Sequence, residues 1–278
     1  MKKFLFKYLI ILSLLPLAPL WALNPSLEEL QLDAPSAMLL DQSTGEILYE
    51  KNADQIIAPA SLTKLMSLHV VYEKIKQGIF TKDTQVPIRN SAWALRLPRR
   101  TSRMFLEPGQ KVSVFELMQG LAIPSGNDAA VALAEFVSGS VEQFTQLMNE
   151  EAKKLGFSHL YFEDASGLSE KNTITAREFA FFCHKYLELH PESIQELHMH
   201  QEFTYPLSKN LPDTHRRNAR PIKQRNRNSL LRQVPGVDGL KTGYIDESGF
   251  NIAFTADREG TRLVGVILGV RGKTLRQG

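Results

Sequence analysis

Strand patterns stand at the two ends of this chain and helical patterns fill its middle, an order that brings the first and last segments into one sheet. Residues 36–41 and 46–50 flank the turn residues Gln42-Ser43-Thr44-Gly45. At the far end, residues 237–242 follow Pro235-Gly236. Two further apolar stretches, 249–256 and 261–269, then run either side of Asp257-Arg258-Glu259-Gly260, a hairpin signal. The chain therefore reads as α/β, with a sheet closed by its N- and C-terminal strands.

The middle is helical with two interruptions. Leu62, Leu65, Met66, His69, Tyr72 and Ile75 recur at helical spacing and stop at Gly78. Residues 80–112 read as a looped excursion anchored by Trp93, Met104, Phe105 and Leu106, turning at Pro108-Gly109. Ser113 with Glu116 is a capping box opening a helix at 114–122, and Asn127 stands where it can cap a helix at 129–137. Ser140 with Gln143 opens a third helix, to Leu155, and Thr175 with Glu178 a fourth, to about His190. Residues 202–232 lose the pattern. Lys209, Arg216, Arg217, Arg220, Lys223, Arg225 and Arg227 make 206–227 a basic stretch broken by prolines, read as a solvated insertion loop, with an anionic partner as the alternative.

Residues 1–22 stand apart. Lys2, Lys3 and Lys7 precede an apolar run from Tyr8 to Trp21 that ends at Ala22, the layout of a secretory signal peptide with its cleavage point. The run is short for a membrane span. We expect residues 23–278 to be the exported domain, located in the periplasm or cell envelope. The net charge of +3 is carried by the leader: residues 1–22 hold three lysines and no acid, so the remainder balances at 30 basic against 30 acidic. That balance gives no reason to expect a nucleic-acid partner. The single cysteine, Cys183, excludes an intramolecular disulfide and reads as a small buried hydrophobe. Among the seven histidines no metal-ligand spacing stands out, and His198 and His200 read as solvated. No metal or other cofactor is implied.

Three short motifs point to chemistry. In Pro59-Ala60-Ser61-Leu62-Thr63-Lys64 a lysine follows a serine by three places, so both share one face at a helix start. The unpaired N–H groups of that terminus face the same spot. Serine with an adjacent base is an activated nucleophile. Of all the serines in the chain, only Ser61 has a lysine three residues later. Ser125-Gly126-Asn127 falls between two helices, and Lys241-Thr242-Gly243 on a strand before a turn. Singly, each has a plain structural reading: a capping serine, a helix start, a strand end.

Taken in order, these motifs resemble those of the serine penicillin-recognising family, S-x-x-K, S-x-N and K-T-G. The closer likeness is to the low-molecular-mass D-alanyl-D-alanine carboxypeptidases of peptidase family S11. It rests on residues 60–66, Phe105-Leu106-Glu107-Pro108-Gly109, residues 124–129, Asn226-Arg227-Asn228 and residues 237–243, and covers about residues 33–278. It implies a β-lactamase/DD-peptidase-like fold, a mainly antiparallel sheet flanked by helices with an inserted mainly helical subdomain. It also implies a serine-type carboxypeptidase that removes the terminal D-alanine from peptidoglycan pentapeptide stems, with β-lactams as covalent inhibitors.

On this reading Ser61 attacks and Lys64 takes its proton, its pKa depressed by burial and by Lys241 nearby. Ser125 relays a proton to the leaving amine, and Asn127 offers an amide to substrate or to Lys64. The oxyanion hole would be the backbone N–H groups of Ser61 and, by resemblance, Tyr244. Gly243 leaves room for substrate to pair along the strand edge. Lys241, Thr242 and an arginine would hold the substrate carboxylate. By resemblance that arginine is Arg276, with Arg271 as the fallback.

The family usually continues with a further helix, a β-rich domain and an amphipathic anchoring tail. The sequence stops at Gly278, which reads as a truncated C-terminal end, and peripheral membrane association would need the missing tail. Rival readings are a D,D-endopeptidase on the same fold, a non-catalytic peptidoglycan-binding protein, and a basic wall- or membrane-associated module. A class A β-lactamase would carry a Glu-x-x-Leu-Asn motif, which is absent from the sequence.

Overall fold

The two ends of the chain meet in the middle of a sheet. Strands β1 (Ser36–Asp41) and β2 (Ile47–Lys51) form the first hairpin, and β7 (Val237–Ile245), β8 (Gly249–Arg258) and β9 (Thr261–Val270) form the closing meander. The sheet order is β2-β1-β9-β8-β7, with every pairing antiparallel. Ser36 faces Leu268 and Asp41 faces Leu263, so the first strand is sealed by the last. This computed structural model describes residues 32–212 and 220–272, all but Leu32 belonging to one unit that starts at Asp33. The proposed leader, most of the basic loop's tip and Arg276 lie outside the described residues.

Helix α1 (Thr63–Lys76) runs through the centre. Sequence spacing suggests a one-sided apolar stripe, yet every residue from Thr63 to Tyr72 is buried. The reason is that α2 (Val114–Ala122), α3 (Asn127–Ser138) and α4 (Val141–Lys154) surround it, and a helix covered on all sides has no solvent face. Burying Leu65, Met66 and Leu68 stabilises the body by about 1.5–3 kcal/mol each. Helix α5 (Ala176–Leu189) lies on β1 and β9 and buries Phe179, Phe182 and Cys183, the Phe182 ring meeting His69 of α1 edge-on. Burial pushes the Cys183 thiol well above its ordinary pKa, which suits a packing role.

The helix starts follow the sequence in most cases. Ser113 and Glu116 make the reciprocal capping bonds at 3.0 and 3.2 Å. Ser140 and Thr175 accept from Gln143 N and Glu178 N. Asn127 is different. It is the first residue of α3, whose N-cap is Gly126, and its side chain makes no cap.

The stretch expected to lack structure contains a hairpin. Strand β5 (Glu202–Tyr205) pairs with β6 (Ile222–Arg225), and a short helix, α6 (Leu230–Gln233), follows. Phe203 and Tyr205 turn inward while Glu202 and Thr204 face out, a period-2 pattern too short to stand out. Its partner strand, Ile-Lys-Gln-Arg, has one apolar residue and gives no signal. In the 80–112 excursion, β3 (Gln85–Pro87) pairs with β4 (Lys111–Ser113), and Met104 and Leu106 are the buried anchors, while Phe105 is exposed. His198, read as solvated, is fully buried and meets the Tyr186 hydroxyl at 2.9 Å. Burial lowers its pKa to about 3, so the ring is neutral.

Candidate active site

Ser61 sits in a 3-10 turn, Ala60–Leu62, that runs straight into α1. Three residues on, Lys64 turns back along the same face and places its Nζ 2.8 Å from Ser61 Oγ. The amine also donates to Asn127 Oδ1 at 2.7 Å and to the Ser166 carbonyl at 2.5 Å. Lys64 has no solvent-exposed surface, and burial lowers its pKa to about 7 against the pull of the Asp164 and Asp128 carboxylates. A neutral amine has two N–H groups and one lone pair. The Asn127 and Ser166 oxygens only accept, so both N–H groups go to them and the lone pair faces the Ser61 hydroxyl. This is a base poised to take that proton.

Ser125, at φ 64°, stands in the connection from α2 to α3, and its Oγ accepts from Lys241 Nζ at 2.9 Å. Lys241 is buried on β7 and also donates to the Thr242 carbonyl at 3.0 Å. Burial holds its pKa well below the ordinary value, with the charges of Lys64 and Arg227 adding to the effect. Burial is the main cause of both shifts, and the two buried amines also disfavour each other's charge, as expected of Lys241 beside Lys64.

Asp128, next to Asn127, is buried and accepts backbone N–H bonds from Met104, Phe105, Leu106 and Ala129 at 2.7–3.0 Å. This one carboxylate fastens the 104–106 excursion to the start of α3.

Two glycines explain how closely the Ser61 turn is held. A Cβ on Gly243 would come within 2.7 Å of the Pro59 carbonyl oxygen and 2.9 Å of Ser61 N. Its lack of a side chain keeps the Ser61 N–H clear, a role the sequence had suggested only for substrate pairing. On the opposite side, a Cβ on Gly167 would fall within 1.8 Å of the Ala60 carbonyl oxygen. Only glycine allows either approach.

Gly167 belongs to a loop, 163–172, that sequence reasoning passed over. Asp164 accepts from Ser166 Oγ, Gly167 N, Leu168 N and Asn172 Nδ2 at 2.6–3.1 Å, and Asn172 donates on to Thr63 Oγ1 at 3.0 Å. The loop is thereby built to aim the Ser166 carbonyl at Lys64. Its signal was present as Asp164-Ala165-Ser166-Gly167, a turn-forming run.

The remaining expected residues fall as follows. Tyr244 follows Gly243 on β7, an edge strand of the sheet, with its ring exposed and its hydroxyl donating to Asp246 at 2.7 Å. Thr242 is half-buried between Lys241 and Gly243. Arg271 donates to the Glu247 carbonyl at 2.6 Å and borders a cavity of about 430 Å³ with Tyr244, Asp246 and Phe250. Asn226 and Asn228 are structural ties: Asn226 donates to the His200 carbonyl at 2.9 Å, and Asn228 to the Gly239 carbonyl at 3.0 Å.

The profile of the D-alanyl-D-alanine carboxypeptidase family, peptidase family S11, matches residues 24–272. The D-alanyl-D-alanine carboxypeptidase DacC of Escherichia coli K12 is 37% identical over 260 residues, covering 92% of this chain and 61% of that protein. The chain thus spans about three fifths of that relative's length. The crystal structure of the D-alanyl-D-alanine carboxypeptidase DacD from Francisella tularensis superposes with a TM-score of 0.80 at 31% identity, covering 88% of this chain and 68% of that one. Penicillin-binding protein D2 of Listeria monocytogenes, solved with ampicillin bound, has a TM-score of 0.73 at 29% identity, covering 89% and 94%. The chain belongs to the D-alanyl-D-alanine carboxypeptidase family, and its fold is the one that family shares.

Proposed function

We propose that this protein is an exported serine-type D-alanyl-D-alanine carboxypeptidase that trims the terminal D-alanine from peptidoglycan pentapeptide stems. The observation that carries the reading is the buried Lys64 amine, 2.8 Å from Ser61 Oγ, whose pKa burial brings down to about 7. Ser61 Oγ attacks the carbonyl between the two D-alanines while Lys64 takes the hydroxyl proton. The backbone N–H groups of Ser61 and Tyr244 stabilise the oxyanion. The C–N bond then breaks as the proton held by Lys64 is relayed by the Ser125 hydroxyl. Ser125 gives its own proton to the departing D-alanine amine and is reprotonated in turn, while Lys241 holds Ser125 in place and Lys64 returns to the neutral form. Water hydrolyses the acyl-enzyme, with Lys64 again as base.

The stem peptide lies extended along the free edge of β7, with its carboxylate on Lys241, Thr242 and Arg276. A β-lactam enters the same site and acylates Ser61, a reading supported by the ampicillin-bound relative. Residues 1–22 act as the export leader, and no described helix is long and apolar enough to cross a membrane.

The deciding experiment is labelling with a fluorescent penicillin beside an assay of D-alanine release from a pentapeptide. Wild type labels and releases D-alanine; Ser61→Ala and Lys64→Ala do neither. A folded wild type that neither labels nor releases D-alanine would leave a peptidoglycan-binding protein instead.

A further inference from the structure

Away from this site, among the described residues, one cluster of histidine and acidic side chains brings three donor atoms within 4.8 Å of one another: His69, Glu73 and His190. His69 and Glu73 are one turn apart on α1, so they share a face. His190 caps the end of α5, 121 residues beyond His69, and the two rings meet with His69 Nδ1 2.9 Å from His190 Nε2. Glu73 Oε1 lies 3.8 Å from the same His190 nitrogen. Both rings are almost wholly buried, and Tyr72 stacks on His190 at 4.7 Å.

A hydrogen bond between the rings does not satisfy this cluster. Glu73 Oε1 and His69 Nε2 are buried with no hydrogen-bond partner. If His69 donates from Nδ1, its bare Nε2 faces the Glu151 carboxylate at 3.5 Å, an acceptor against an acceptor. If His190 donates instead, Glu73 Oε1 is still an acceptor without a donor. A cation between His69 Nδ1, His190 Nε2 and Glu73 Oε1 resolves both problems. Each donor then gives a lone pair to the ion, and the His69 proton sits on Nε2, directed at Glu151. A carboxylate behind the second nitrogen is the usual support of a metal-bound histidine.

The ring nitrogens suit the role because burial keeps both imidazoles neutral, His190 with a pKa of about 3. The separations of 2.9 and 3.8 Å lie within the roughly 4 Å that two donors to one zinc ion can span at about 2.0–2.1 Å each. Glu73 and Glu151 are the partly exposed members, at 15% and 19%, and give the ion its way in.

We propose that His69, Glu73 and His190 form a binding site for a divalent first-row transition ion of the zinc class, with a water completing the coordination. Two imidazoles and one carboxylate select such an ion over magnesium or calcium, which prefer all-oxygen shells. The site ties the middle of α1, the helix that carries Lys64, to the end of α5. It stands independently of the proposed activity. No metal-ligand spacing is visible along the sequence because the third donor comes from a distant helix end.

The test uses the full chain, stripped with a chelator and titrated with Zn²⁺ by calorimetry, with Co²⁺ as an absorbing substitute. Wild type takes up one Zn²⁺ per chain, shows a Co²⁺ visible band, and melts at a higher temperature with Zn²⁺ than without. Glu73→Gln keeps the shape and hydrogen-bonding capacity of the side chain, so it folds; it weakens Zn²⁺ binding at least about tenfold and loses the melting shift. His190→Gln does the same and dims the Co²⁺ band. If wild type takes up no stoichiometric Zn²⁺, the proposal fails. It fails equally if Glu73→Gln binds Zn²⁺ as wild type does, which would place the ion on other histidines.

Discussion

The acylation of Ser61 should follow the titration of Lys64, and the structure sets where. An ordinary lysine near 10.5 would be less than about 0.1% neutral at pH 7. Burial brings Lys64 to about 7, which corresponds to roughly 5 kcal/mol taken from the ammonium form at 1.36 kcal/mol per unit. The neutral fraction then rises from about one tenth at pH 6 to about nine tenths at pH 8, so the second-order rate of penicillin acylation should climb about ninefold over that interval and level off above it. The penicillin carboxylate is ionised throughout this range and adds no titration of its own.

The assay is stopped-flow or quenched labelling from pH 5.5 to 9.5. Asp164→Asn supplies a second check. The Asp164 charge raises the Lys64 pKa, so removing it should move the midpoint of the profile to lower pH. A rate that is flat between pH 6 and 8, or one still rising in proportion to hydroxide above pH 9, would refute the assignment of Lys64 as the base.

Other expectations concern packing and charge. Gly243→Ala drives a Cβ to 2.7 Å from the Pro59 carbonyl oxygen and 2.9 Å from Ser61 N, so acylation should fall about 10²–10³-fold, as for loss of an oxyanion donor, and the melting temperature should drop as the backbone shifts. Leu68→Ala hollows the fully buried α1 and should cost about 2–5 kcal/mol in urea unfolding. Arg177 bridges Glu50 and Asp54 at 2.8 and 2.7 Å, but both acids are exposed, so Arg177→Ala should cost under about 1 kcal/mol by the same measurement.

How far the sequence announces this molecule depends on the range of the interactions involved. The sheet was legible because β1 and β7–β9 are long and apolar, and the helix starts because Ser113, Ser140 and Thr175 bond their own neighbours three residues on. Ser61 and Lys64 were legible for the same reason. What escaped was held by distant partners. Only the capping role expected of Asn127 failed; its other expected role, holding Lys64, is met across 63 residues. The Ser166 carbonyl reaches the same amine over 102 residues and has no side-chain signature. His198 stands in a polar stretch, yet Tyr186 of α5 and Gly239 of β7 close over it. Arg276, carried over by resemblance, falls outside the described residues and remains a proposal.

The pairing of β1 with β9 sets the order in which this protein can come into being. The strand that leaves the translation machinery first has its inner partner 232 residues later, at Ser36 and Leu268. Until β9 exists, β1 and β8 each present an open edge, and such edges invite pairing with other chains. Contacts this distant form slowly. The Ser61 turn waits as well, since Gly243 of β7 is one wall of its seat. On the proposed mechanism a partly made chain would be chemically silent, because the seat of Ser61 is incomplete until β7 is in place.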